Sequence, residues 1–150
     1  MRYIDANIFI ANLIGNSRLG EAAKKYLEAV ATGKEAASTS VHTMIEIYAF
    51  LKGKKLSEQK ISGILKDVNL HGVALLPFEP DILIEALPMV NKDWKLGGAI
   101  HYVTMVKNEI KEIVTDDRHF DNVDGIDRID LALEARQCNK VKSNNLDSQF

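Results

Sequence analysis

Three acids in this chain stand where solubility alone does not explain a carboxylate. Asp5 follows the strand-like "RYI" of residues 2–4, Asp117 follows "EIVT" at 112–115, and Glu46 falls inside the apolar helical stretch "VHTMIEIYAFL". Around Glu46, Met44, Ile47, Tyr48 and Leu51 form one apolar face, while Ile45, Ala49 and Phe50 make the opposite side apolar too. A carboxylate in such surroundings is costly unless a positive side chain, a cation or a water-filled cleft compensates it. Three acids converging without a basic partner would repel one another, and a divalent ion resolves the conflict. Oxygen-only ligands favour Mg²⁺ or Mn²⁺ over zinc. Such an ion deprotonates a bound water and neutralises charge on a phosphoryl oxygen, which is what cutting a phosphodiester requires. Each acid also has a plainer reading. Asp5 suits the N-cap of the first helix, Asn7 a turn partner, Asp116 or Asp117 the cap of a short turn before "RHFD", and Glu46 the partner of a lysine.

The acids meet only if the elements bring them to one edge. Residues 2–4 read as a strand, and Ile8, Phe9 and Leu13 suit a helix beginning near Asp5 and closed by Gly15 and Asn16. Leu19, Ala22, Ala23, Tyr26, Leu27 and Val30 predict a helix over 18–32, ending at Gly33. A short strand within 35–40 leads to a helix capped by Ser40 and ended by Gly53; Ser57 caps the next, with Ile61, Ile64, Leu65 and Val68 as its stripe and "NLHG" as its exit. "VALLPF" at 73–78 predicts a buried strand, Pro80 opens a helix that Pro88 shortens, and a further helix covers about 96–108. "DRIDL" at 127–131 predicts the last strand, before a polar tail. Strands alternate with helices at spacings too long for hairpins, so the expected fold is a three-layer α/β/α domain with a central parallel sheet. In such sheets the ligand site lies beyond the carboxyl ends of the strands, where strand order reverses, and Asp5 and Asp117 both follow strands.

At 150 residues and 46% hydrophobic, the chain suits one compact domain, placed at 1–135 with a tail over 136–150. No run of about 18 apolar residues occurs, which argues against a membrane span, and Asp5 and Asn7 interrupt the first apolar run before it could form a secretory core. The expected location is cytoplasmic. A formal charge of −2 argues against nucleic-acid binding by broad phosphate neutralisation, leaving local basic candidates at "KGKK" (52–55), Lys92, Lys95 and Lys107. Cys138 has no thiol partner. The four histidines lack an H-E-x-x-H or Cys/His spacing, and an isolated histidine is usually a surface or packing residue; His42 and His119 flank acid segments, His71 stands in a turn, and His101 lies in "AIHYV". Tyr48, Trp94 and Tyr102 suit core or dimer surfaces.

With these residues in place, the chain resembles a PIN domain, in particular a VapC-type toxin ribonuclease, over nearly its whole length. "YIDANIFI" is similar to the family's first motif, "TSVHTMIEIYAFL" to the second and "IVTDDRHFDNVDGI" to the fourth. The resemblance implies Asp5, Glu46 and Asp117 as catalytic, metal-holding acids. It also implies Asn7, Thr115 and Phe120 as supporting residues, Mg²⁺ or Mn²⁺ as cofactor, and endonucleolytic hydrolysis of RNA. A homodimer and a cognate antitoxin are the implied partners. The third motif departs from the pattern: in "WKLGGAIHYV" Gly98 takes the place of the usual acid. Asp116 and Asp121 are the candidates for partial compensation. Asp93 lies roughly 7.5 Å upstream along a helix axis, too far to substitute simply. Gly98 also supports an alternative, a catalytically impaired PIN domain that binds RNA or a protein. A phosphatase using Asp5 as nucleophile is a third reading, weakened because Asn7 stands where a second aspartate is expected.

Overall fold

Alternation along β1 (Arg2–Ile4) sets the architecture, because Tyr3 points to one face of the sheet, Ile4 to the other, and both are fully buried. The computed structural model describes residues 1–15, 17–91 and 94–136. β2 (Ala37–Ser40), β3 (Ala74–Leu76), β4 (Glu112–Val114) and β5 (Asp127–Ile129) join β1 in the order β3-β2-β1-β4-β5, with every neighbouring pair parallel. Ile113 and Val114 repeat the alternation of Tyr3 and Ile4, their register partners.

On the Ile4 and Val114 face, α1 (Ala6–Ile14), α2 (Arg18–Ala31), α3 (Val41–Gly53) and α4 (Glu58–Leu70) bury Ile8, Phe9, Ala23, Val30, Ile47, Leu51 and Ile61. On the Tyr3 and Ile113 face, α5 (Pro80–Ala86) and α6 (Leu96–Lys107) supply Ile82, Ile100, Val103 and Met105. The three-layer parallel architecture expected from the sequence is therefore present. Its helix boundaries follow local chemistry: Ser17, Ser40 and Ser57 each accept a capping bond from a backbone N–H three residues on, and Gly15 leaves α1 at φ 64.

Three expectations need correction. "VALLPF" is not a buried strand: β3 is one of the two edge strands, flanked by β2 alone, and Leu75 is 41% exposed although Val73 is buried. α3 is apolar on two sides in sequence, yet Ile45 on its outer side is 51% exposed, so Glu46 stands at a boundary and not in a dry interior. β5 ends at Ile129 and the chain turns helical over 131–136, burying Leu131, where "DRIDL" was expected to run as a strand through 131. Asn16, Lys92, Asp93, Cys138 and all but the first residue of the 136–150 tail lie outside the described residues. Among the described residues no helix is long and apolar enough to cross a membrane.

From β1 the chain builds outward through β2 and β3, then returns to the opposite side of β1 to place β4. The carboxyl ends of β1 and β4 thus flank the reversal of strand order, and the Asp5 amide donates to Val114 O at 3.1 Å just there.

Candidate active site

Asp5 occupies the N-cap position of α1, but its carboxylate makes no capping bond. The plain capping role is thereby removed. Asp5 is 8% exposed, and its Oδ2 accepts from Thr115 Oγ1 at 2.6 Å and from Asn7 Nδ2 at 2.8 Å. The second Asn7 amide hydrogen reaches Thr115 Oγ1 at 2.8 Å, and Asn7 Oδ1 accepts from the Asp116 N–H at 3.2 Å. Thr115 Oγ1 also accepts the Asp117 N–H at 3.0 Å. Asn7 is therefore no local turn partner; it ties the end of β1 to the segment after β4 and leaves Asp5 Oδ1 free to face the cleft.

What faces Oδ1 is a histidine. His101, on α6 and 3% exposed, holds Nε2 3.3 Å from Asp5 Oδ1 and 2.9 Å from Glu46 Oε2. Its Nδ1 lies 2.8 Å from the Tyr3 hydroxyl, which donates onward to Ser40 Oγ at 2.7 Å. With that hydroxyl hydrogen committed to Ser40, Nδ1 is the nitrogen that donates to Tyr3, and Nε2 is presented to the two acids. Burial pushes Asp5 up, but hydrogen bonding and charge from His101, with the Thr115 hydroxyl, outweigh it and leave Asp5 below its usual range. Glu46 follows the same balance: burial raises it, contact with His101 and His42 lowers it further, and it settles at about 2. Burial presses the His101 imidazole down, while Tyr3, Asp5 and Glu46 together hold it well above the usual histidine value. An imidazolium thus balances two carboxylates, and Glu46 pairs with histidines where the sequence suggested a lysine.

These shifts fix a pH dependence. The depressed acids contribute stability that is full above about pH 4.5, the ordinary value for Glu46, and is lost as the pH falls toward about 2. The raised histidine contributes stability that is full below 6.5 and is lost as the pH rises through its folded value. Metal-free protein is expected to melt highest between about pH 4.5 and 6.5 and lower on both sides. A melting temperature that climbs steadily from pH 6 to 9 in chelator would contradict the pairing.

Asp117 lies across the same cleft. Asp5, Glu46, Asp117, His101, Gly97 and Gly98 share a cavity of about 390 Å³ whose wall is completed by Trp94, Lys95, His119 and Phe120. Asp117 is exposed and its Oδ1 accepts the His119 N–H at 2.9 Å, so it does cap the short turn Arg118–Asn122 while lining the cleft. The structure brings together Asp5, Glu46, Asp117, Asn7 and Thr115. It does not bring in Asp116, whose side chain is exposed and outside the cleft lining, or Asp121, which forms two contacts with Arg128 at 2.6 and 3.3 Å. Gly98 does line the cleft, and a Cβ there would meet only the Trp94 ring, at 3.5 Å. Gly97 is tighter, because its Cβ would come 2.7 Å from Glu46 Oε1. In kind the donors suit a divalent cation: three carboxylates reach one water-accessible cavity, with an imidazole nitrogen among them.

His101 is the residue that reading the sequence missed. An isolated histidine without a metal spacing looks like packing, yet His101 stands one turn after Gly97 and one before the buried Met105, on the inward stripe of α6. That helical phase was the available signal. Trp94, assigned to core or dimer surface, lies against His119 with ring centroids 4.4 Å apart at the cleft wall. The basic candidates divide similarly: Lys52 pairs with Glu58 and Lys107 with Asp81 and Glu85, while Lys95 stands exposed at the cleft.

Comparison with known proteins agrees with this fold. The family model of the PIN domain matches residues 2–126. No curated protein matches the sequence. Among solved structures, a toxin–antitoxin complex from Klebsiella pneumoniae is similar with a TM-score of 0.61 and 20% identity, covering 87% of this chain and 98% of that one. The sarcin–ricin-loop-cleaving toxin VapC20 of Mycobacterium tuberculosis is similar with a TM-score of 0.61 and 19% identity, covering 78% and 90%. VapBC2 from Rickettsia felis, bound to a DNA fragment from its promoter, gives 0.61 and 12% identity over 86% and 98%. At these identities the likeness carries the fold.

Proposed function

Because this chain belongs to the PIN domain family, we propose that it is a metal-dependent endoribonuclease of the VapC toxin type. The supporting observation is the convergence of Asp5, Glu46 and Asp117 on one cleft at the strand-order reversal. These three acids would hold Mg²⁺ or Mn²⁺. When bound, such an ion supplies an activated water and neutralises charge on the scissile phosphate. Asn7 and Thr115 fix one oxygen of Asp5 so that the other faces the cleft. Lys95, exposed at the rim, meets a neighbouring backbone phosphate, while Trp94 and His119 bound the path of the strand. In this reading the PIN-like domain over 1–135 acts in the cytoplasm as a homodimer, and a cognate antitoxin covers the acidic cleft. Exposed apolar side chains such as Ile84, Leu87 and Val106 favour such association.

One observation favours a second reading, an impaired PIN domain that binds RNA or protein without turnover. His101 already compensates Asp5 and Glu46, and Gly98 brings no carboxylate to the cleft. The two readings separate in one assay, RNA cleavage with Mn²⁺ or with chelator, for the parent and for Gly98→Asp. Space at Gly98 admits the side chain, and an acid in the first turn of α6 suits the helix dipole, so the variant folds. The nuclease reading expects Mn²⁺-dependent cleavage by the parent and a change of under about tenfold in the variant. A silent parent with a gain of about 100-fold in the variant favours impairment. Equal cleavage in chelator defeats the nuclease reading.

A further inference from the structure

Glu46 belongs to a second set of donors that includes two imidazoles. His42 and Glu46 stand one turn apart on α3, and His101 reaches them from α6; one ligand atom from each lies within 4.8 Å of the others. His42 Nε2 is 3.4 Å from Glu46 Oε1, and His101 Nε2 is 2.9 Å from Glu46 Oε2. A tetrahedral ion with ligands near 2 Å needs donors roughly 3.3 Å apart, so small side-chain adjustments close the site.

We propose that His42, Glu46 and His101 form a mixed nitrogen and oxygen site selective for a borderline transition ion such as Zn²⁺ or Co²⁺ over Mg²⁺. Three further observations carry this assignment. His42 Nε2 is buried and meets Glu46 Oε1 only at 3.4 Å, without hydrogen-bond geometry, which leaves it able to turn toward an ion held between the two. The Tyr3 and Ser40 hydroxyls fix the Nδ1 side of His101 and aim Nε2 at the cluster, the arrangement that orients metal-binding histidines; the ion would take the place of the Nε2 proton that otherwise faces the two acids, and that proton would leave to solvent on binding. Gly97 keeps the space open: a Cβ there would stand 2.7 Å from Glu46 Oε1 and 3.7 Å from His42 Nε2. Imidazole donors suit zinc, cobalt and nickel, whereas Mg²⁺ prefers six oxygens, so the two histidines change which ion the cleft retains. The site shares Glu46 with the nuclease reading but does not depend on cleavage. Loss of RNA hydrolysis with binding intact would count against that reading alone.

The test is calorimetric titration of the full chain with Zn²⁺ and with Mg²⁺, together with the visible spectrum of the Co²⁺ complex. The parent is expected to bind one Zn²⁺ at least about 100-fold more tightly than Mg²⁺. His42→Ala is expected to weaken Zn²⁺ binding by about 10- to 100-fold while moving Mg²⁺ by less than about threefold, and to alter the Co²⁺ ligand-field bands. His42→Gln, which keeps the side-chain volume, repeats the measurement if the alanine variant melts early. Zinc and magnesium affinities within tenfold of each other would overturn the assignment. So would equal binding in parent and His42 variants, which would place the ion elsewhere.

Discussion

Asparagine in place of Asp5 is expected to lower metal-supported RNA cleavage by at least about 100-fold and to destabilise the fold by about 1–3 kcal/mol. Both effects follow from how each carboxylate oxygen is used. Oδ2 receives two donors, from Thr115 and Asn7, and Oδ1 faces the His101 Nε2. An asparagine carbonyl satisfies one side only. If it turns to Thr115 and Asn7, its amide meets an imidazole nitrogen that also serves Glu46; if it turns to His101, the buried Thr115 hydroxyl and the partly buried Asn7 amide lose their acceptor. Side-chain volume is unchanged, so packing contributes little. Cleavage rates on a fixed RNA and thermal melts of the same preparations check the two halves separately. A variant that cleaves within fivefold of the parent would remove Asp5 from the chemistry.

Alanine at His101 is expected to cost about 3 kcal/mol in chelator. This is the lower end of the range for breaking a buried pair, because a third of the Glu46 side chain is exposed and screened. Asp5 has no such relief at 8% exposure, and the Tyr3 hydroxyl loses its donor as well. The informative measurement is the melting temperature with and without Mg²⁺. With the internal cation gone, the acids require an external one, so Mg²⁺ should raise the melting temperature of His101→Ala more than that of the parent. An equal or smaller gain would show that His101 does not compensate the acids.

Much of this organisation is written locally. Serine caps, the proline opening α5 and the glycine ending α1 act over three or four residues, so their elements could be placed from the sequence. The acids at the ends of β1 and β4 were legible for a related reason, since a strand end in an alternating α/β chain fixes which edge a residue joins. What escaped depends on other elements. The exposure of β3 follows from its outermost position, which the residues "ALL" do not encode. His101 looked isolated because its partners Tyr3, Asp5 and Glu46 come from β1, the N-cap of α1 and α3. Glu46 was recognised as an acid needing compensation, but the identity of its partner required the contact between α3 and α6.

The bond from Thr115 to Asp5 spans a sequence separation of 110 residues, and the His101 contacts with Tyr3 span 98. Closure of such long loops is slow and comes late in folding. A nascent chain that ends between α6 and β4 carries Asp5, Asn7, Glu46 and His101 but lacks the Thr115 hydroxyl that fixes Asp5 and the Asp117 carboxylate across the cleft, so the site is completed only when the last strands emerge and pair beside the first.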